Sequence, residues 1–504
     1  MKITAPLSQT QYGIYAECVS HENEPYYNLP FLYVLDGSLD AERLCRAIET
    51  AFKTHPTLFT RIEVSGEGDP FQSIDMEKEE FSLSVEQVKD IEEEKRNFVQ
   101  PYKLVGGRLF HTRLMRDADH IYWFFSTHHI IFDGTSLKLI MHDVEKAYNG
   151  ETLAPEELTL AEVALAEAEL RKTAAFEDGK RWYAQNFDCG DTYTQLMPDL
   201  EITEPSEGKM ERRLRTEKAR VEAYCKANGI FKSTLFTAVY SFLLAKYSNE
   251  QEALFETIYD GRSDKRLLHS VGMTVKTFPY YAKFDDETTV LDFLKAGQEL
   301  IGSCRQYEAY SYSDAVHDLQ LQCPSSFAWH GTLFADEMLM GKPMQMVRLN
   351  DDTRGNSLYM KAFIRNDQYF LEAEYNANEY SETLMAQFME SYEAVLEGFL
   401  TQTYLRDVDI TTNEQKAMLD AFNQTDVPYD ESQTIITLFR KQAAAVPDKV
   451  AVVFQGREYT YKQVDELSDC IAYYLTSKGL GAEDVVSVLI PRCEWMAEIM
   501  RPLI

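Results

Sequence analysis

Two adjacent histidines, an aspartate four residues beyond the second and a glycine after it form the run His128-His129-Ile130-Ile131-Phe132-Asp133-Gly134, the stretch of this 504-residue chain best suited to chemistry. A neutral imidazole, with an ordinary pKa near ~6.5, can take or give a proton at neutral pH. Neighbouring strand residues point to opposite faces, so His128 and His129 cannot both serve one cavity through regular strand geometry. One is expected to be reactive and the other to pack or hydrogen-bond within the scaffold. Asp133, just past the strand end, is placed to brace the turn or pair with an arginine. Gly134 has no side chain, which permits close approach to its backbone. Adjacent histidines with one distant carboxylate give no recognised zinc geometry.

The elements that must position these residues can be read from apolar spacing. Residues 121–131 are a nearly continuous apolar run, the pattern of a strand buried on both faces. Asp133-Gly134 turns the chain. Leu137, Ile140, Met141, Val144 and Tyr148 then make a helix stripe that ends near Asn149-Gly150. Upstream, Leu44, Ile48 and Phe52 predict a helix over 39–53. A charged, helix-rich stretch at 157–178 reads as a bridge. Beyond it, helices are expected at 218–227, 233–247, 290–306 and 381–400, and strands at 253–259, 271–284, 326–333, 357–364 and 369–375. Residues 401–430 read as a linker with one short helix. A last segment offers helices at 435–445 and 462–478, and strands at 450–454, 458–461 and 484–490. The chain divides on this reading into 1–170, 171–400, a linker at 401–430 and 431–504, the last being small for a complete enzyme core.

Bulk composition removes several function classes. The formal net charge of −32 argues against binding a phosphate backbone, which needs a basic footprint. No run approaches the ~20 apolar residues of a membrane span, and Met1 to Pro6 carries no apolar signal region. The eight cysteines show no C-x-x-C spacing and read as free thiols, which makes the cytoplasm the expected compartment.

The run Ser126-Thr127-His128-His129-Ile130-Ile131-Phe132-Asp133-Gly134-Thr135-Ser136 resembles the hallmark H-H-x-x-x-D-G-x-S of the condensation domains of nonribosomal peptide synthetases. Further resemblances fall in the family's order. Pro6-Leu7-Ser8-Gln9-Thr10-Gln11-Tyr12-Gly13-Ile14-Tyr15 is similar to its opening motif. Thr54-His55-Pro56-Thr57-Leu58-Phe59-Thr60-Arg61 is similar to its R-H-E-x-L-R-T segment. Ser270-Val271-Gly272-Met273-Thr274-Val275-Lys276-Thr277 is similar to its I-G-x-F-V-N-T segment. The resemblance covers roughly residues 3–400. Val450-Ala451-Val452-Val453, Tyr459-Thr460-Tyr461 and the helix to Tyr474 resemble the start of an adenylation domain, whose L-T-Y-x-E-L motif is matched loosely by Tyr459-Thr460-Tyr461-Lys462-Gln463-Val464. No Gly-rich phosphate loop precedes Ile504, so this fragment is expected to be inactive in amino-acid activation.

The resemblance implies an α/β (α+β) fold: two chloramphenicol-acetyltransferase-like lobes in a V-shaped pseudo-dimer with a tunnel between them, plus a truncated α/β adenylation fragment. It implies amide formation between a carrier-bound acyl or peptidyl thioester and the amine of a carrier-bound aminoacyl group. The partners are then donor and acceptor carrier proteins and a downstream adenylation domain. Phosphopantetheine rides on the carriers, and this chain itself binds no cofactor or metal. His129, His128, Asp133 and Gly134 are the catalytic candidates, with His129 as base or positioner and Asp133 as scaffold. The family's arginine for that aspartate aligns with Phe59, so Arg61, on the same strand face, is expected to substitute. Ser136 is expected to support the site. Gly272 and Lys276 are tunnel candidates, Lys276 standing where the family has Asn and open to a merely solvated role. The opening motif begins just after Met1, which points to a donor arriving in trans and to an initiating domain that N-acylates the first amino acid, with elongation as the rival. Heterocyclising relatives replace the first histidines with aspartate. Epimerising relatives follow a carrier domain and usually end a module. A non-catalytic module of the same fold that recruits partner proteins tends to have a degraded histidine motif.

Overall fold

The computed structural model describes residues 2–21, 25, 27–190, 192–201, 206–333, 338–349 and 357–496. The chain forms two compact units, residues 1–416 and 417–504.

The first unit is built on two six-stranded sheets. One runs in the order Met338–Leu339, Lys342–Arg348, Asn28–Asp36, His120–His128, Phe110–Arg116, Val85–Gln87. His120–His128 pairs antiparallel with Asn28–Asp36 on one edge and with Phe110–Arg116 on the other. Both faces are covered as well. Ile121, Trp123 and Phe125 enter the main core under helices Ala41–Thr54 and Gly134–Asn149, while Tyr122 and Phe124 pack on Phe98 and Met115. This double burial accounts for the unbroken apolar run. The strand stops at His128, earlier than its apolar pattern suggests, because the His128 imidazole accepts the Ile130 N–H through Nδ1 at 3.2 Å and bends the chain into the 3-10 turn His129–Ile131.

The other sheet runs Lys276–Lys283, Glu252–Tyr259, Ser325–Gly331, Leu358–Arg365, Gln368–Asn376, Glu207–Arg213. Alternation along its strands divides the faces. Leu358, Met360, Ala362 and Ile364, with Leu371, Ala373 and Tyr375, form one core with helices Lys232–Tyr247 and Glu382–Phe399. The opposite face carries Tyr359, Lys361, Arg365, Glu372 and Glu374.

Two boundaries differ from the sequence reading. Lys342–Arg348 falls within the expected second lobe yet pairs with Asn28–Asp36 of the first sheet, Met346 opposite Tyr33 and Arg348 opposite Phe31. Residues 401–412, expected to be linker, pack on the second lobe: Leu405 and Val408 are buried in its core, and the Val290 N–H donates to the Thr403 carbonyl.

In the second unit, Val450–Phe454 and Arg457–Thr460 form an antiparallel ladder beside helices Ile435–Ala445 and Tyr461–Ser477. Gln455 and Gly456, both at positive φ, close the hairpin in the way its right-handed twist favours. The strand expected at 484–490 has no ladder partner among the described residues. No helix among the described residues is long and apolar enough to cross a membrane.

Candidate active site

A cavity of about 1580 Å³ lies between the two sheets of the first unit. His129, Asp133 and Gly134 line it from the first lobe. The adjacent histidines do face apart, but the turn separates them rather than strand alternation: His128 ends the strand and His129 begins the 3-10 turn. His128 is buried, with Nδ1 occupied by the Ile130 N–H and Nε2 3.7 Å from the Cys18 sulfur. His128, a catalytic candidate from sequence, does not line the cavity, because its ring caps the turn that presents its neighbour. Of the two, His129 is the one on the cavity wall. Its N–H donates to the Tyr27 carbonyl at 2.8 Å, and its ring meets the Tyr27 ring edge-on. The opening helix braces the same turn: Gln11, fully buried, donates through Nε2 to the Ile130 carbonyl at 3.1 Å and accepts from Gln72 at 2.8 Å.

Asp133 is the N-cap of helix Gly134–Asn149 and is fully buried. Its Oδ1 accepts from Ser136 N (2.8 Å), Ser136 Oγ (2.7 Å) and Arg262 Nη2 (3.1 Å). Its Oδ2 accepts from Arg262 Nη1 (2.9 Å), Thr274 N (3.1 Å) and Thr274 Oγ1 (2.9 Å). Burial alone raises a carboxyl pKa, but the Arg262 guanidinium and Ser136 outweigh it and hold Asp133 below the ordinary value. A carboxylate held in its ionised form at neutral pH, with donors on both oxygens, is poorly suited to carry a proton. Asp133 therefore ties the two lobes together. Ser136 adds to the tie, its hydroxyl accepting the Gly272 N–H at 2.9 Å.

Gly134 opens the helix, where first-turn N–H groups have no partner within the helix. A Cβ there would come within 2.5 Å of the Leu333 side chain, which enters from the crossover after Ser325–Gly331. The glycine thus keeps a donor-rich helix end on the cavity wall at the point where the lobes meet.

Residues 1–420 match the condensation domain family and residues 439–501 the AMP-binding enzyme family. The chain belongs to the condensation domain family. This condensation domain and the segment after it are 25% identical over 494 residues to bacitracin synthase 3 of Bacillus licheniformis, a match spanning 92% of this chain and 8% of that protein. The chain is thus less than a tenth of that relative's length. Among solved structures, a four-domain nonribosomal peptide synthetase bound to AMP and glycine superposes with a TM-score of 0.74 at 15% identity, over 99% of this chain and 41% of that one. The first condensation domain of the calcium-dependent antibiotic synthetase, in complex with a substrate analogue, gives 0.67 at 14% identity, over 81% of this chain and 99% of that one.

Against this family background, two expectations for the condensation domain need correction and a third is sharpened. Arg61 does not substitute as the partner of Asp133. It bonds Glu79 through Nε and Nη2 at 3.1 and 2.8 Å, and Arg262 fills the role from the second lobe. Gly272 is not a wall of the cavity: it packs on Leu160 and fixes Ser136 through its backbone. Lys276 does line the cavity, but it is not a freely solvated cation, because Glu167 holds its Nζ at 2.6 Å.

Arg262 is the residue sequence reasoning missed. It lies 129 positions from Asp133 in an irregular loop, so no periodicity marks it. The available signal was Gly261 before it. That glycine sits at φ +64, and a Cβ would meet the Thr274 carbonyl oxygen at 1.8 Å.

Proposed function

We propose that residues 1–420 catalyse amide formation between a carrier-bound acyl or peptidyl thioester and the amine of a carrier-bound aminoacyl group. The observation that carries this reading is the division of labour in the motif: His128 and Asp133 are consumed by the scaffold, and His129 is left on the wall of a large interlobe cavity. A thioester is already activated, so no covalent enzyme intermediate is needed. The amine nitrogen attacks the thioester carbonyl, the C–N bond forms, and the C–S bond breaks to release the carrier thiol. The proton shed by nitrogen passes toward that thiol. His129 orients the amine or accepts its proton, and alignment of two tethered reactants supplies much of the rate. The Gly134 N–H, at a helix N-terminus, donates to the oxyanion of the tetrahedral intermediate.

On this reading the substrates arrive on phosphopantetheine arms of donor and acceptor carrier proteins, and the chain holds no cofactor of its own. The free cysteines fit a reducing, cytoplasmic setting. Residues 431–504 act as the start of an adenylation domain and do not activate an amino acid by themselves. The test is to supply the purified chain with an acyl-pantetheine donor and a panel of aminoacyl-pantetheine acceptors, and to follow amide product by mass spectrometry. Product with at least one acceptor supports the reading. Free thiol without amide from every acceptor would refute it.

A further inference from the structure

Two patches of the cavity lining differ in chemistry, although both walls mix apolar and charged groups. On the first-lobe side, strand Lys342–Arg348 offers Met344 and Met346, with Leu137 and Met141 from the motif helix. The second-lobe wall includes the outward face of its sheet, where Lys361, Glu372 and Glu374 form a lattice of opposite charges among apolar neighbours such as Ile258 and Phe363. Lys361 stands opposite Glu372 in the register and donates to Glu372 Oε1 at 2.8 Å and to Glu374 Oε1 at 2.6 Å. Arg348 reaches Glu374 from the first-lobe sheet at 3.2 Å, and Lys209 approaches Glu372 at 3.5 Å. Alternation makes such a row the expected solvent face of a half-buried sheet. Here it is enclosed instead: Lys361 is 7% exposed and Glu374 8%. Glu372 is held below the ordinary carboxylate range, Lys361 and its neighbours outweighing burial. Beside them, burial and the nearby Lys361 push His330 down to about 3, so its imidazole is neutral.

The cavity also exceeds the ~300–1,000 Å³ of a usual small-molecule site. An acceptor contributes one aminoacyl group, and the space beyond it and the two pantetheine arms serves the longer chain on the donor. A saturated fatty chain laid across the lattice would strip water from Lys209, Glu211 and Arg365 at its open margin and return no hydrogen bonds, which is unfavourable. A peptide supplies N–H and C=O groups to that wall and apolar side chains to the methionine wall.

We propose that the Lys361–Glu372–Glu374 lattice is a specificity wall that selects a donor bearing backbone-like hydrogen-bonding groups, a peptidyl chain, over a saturated fatty acyl chain. The proposal rests on the amide-forming reading above. It favours elongation over initiation.

The experiment measures binding of two non-hydrolysable amide analogues, octanoyl-pantetheine and an N-acetyl-dipeptidyl-pantetheine, to the full chain by calorimetry. The dipeptidyl analogue is expected to bind at least ~10-fold more tightly, and the difference is expected to fall below ~3-fold in the charge-neutral variant K361M/E372Q/E374Q. K209M/E211Q alters only exposed positions at the lattice margin and is expected to narrow the preference without threatening the fold. Equal or tighter octanoyl binding by the unmodified chain, or no binding of either analogue, overturns the proposal. So does a preference unchanged in folded variants. Amide product formed without donor preference would remove the wall and leave the amide-forming reading intact. A clear peptidyl preference with no amide from any thioester would remove that reading and leave the selectivity standing.

Discussion

Arg262→Met isolates the interlobe tie. Asp133 and Arg262 have side chains 0% and 2% exposed, so no water can replace the lost guanidinium. The variant strips Arg262 Nη1 and Nη2 from Asp133 and leaves the Ser136 and Thr274 donors, which solvate the charge incompletely. Removing one partner of a buried pair typically destabilises by ~3–5 kcal/mol, and that is the expected loss at pH 7.5. The sign with pH follows from linkage. In the unmodified chain Asp133 sits below its ordinary pKa, so its stabilising effect is present above the unfolded value near ~3.9 and is lost as pH falls through the folded one. Without Arg262, burial raises that carboxyl, and the variant is penalised most where the group must ionise. The gap between the two proteins therefore narrows from pH 7.5 toward pH 5. Urea unfolding of the full chain at both values, followed by tryptophan fluorescence, reads this out. The double variant D133N/R262M should recover at least ~2 kcal/mol of the loss, since neither charge is then left alone. A loss under about 1 kcal/mol at pH 7.5, or one independent of pH, would refute the reasoning.

His55 is buried between Asp143 and Glu156, at 3.0 and 2.7 Å, and these hydrogen bonds outweigh burial and raise it to about 9. A raised histidine stabilises fully below ~6.5 and loses the effect as pH climbs through 9, a decline of at most ~3 kcal/mol that urea midpoints should show in the unmodified chain and not in His55→Gln. Gly261→Ala must move Thr274, whose N–H and hydroxyl both anchor Asp133, and is expected to lower stability by ~1–3 kcal/mol in the same assay. Arg61→Ala breaks only a partly exposed pair with Glu79, so stability should change by under ~1 kcal/mol and amide formation should be unaffected; a collapse of activity would restore Arg61 to the site.

Legibility from sequence tracked how local the determining physics was. The motif strand, its helix and the Ile435–Ala445 and Val450–Phe454 elements follow from periodicity and caps a few residues apart. Strand parity predicts that His128 and His129 part, but it is the 3-10 turn beginning at His129 that parts them. What stayed hidden depended on distant partners. Arg262 meets Asp133 across the lobes, Gln11 reaches the Ile130 carbonyl from the opening helix, and Lys342–Arg348 joins the sheet of the other lobe. Nothing local to Lys361 and Glu374 signals burial, and only the opposing lobe turns their sheet face into a cavity wall.

The most direct test compares His129→Ala with His128→Ala in the amide-forming assay, each checked for folding by circular dichroism and thermal melting. The account predicts that His129→Ala melts like the unmodified chain and loses ~10²–10⁴-fold in rate. It predicts that His128→Ala loses stability through the broken turn, with activity retained in the fraction that remains folded. A folded His129→Ala protein that forms amide at the original rate would contradict it.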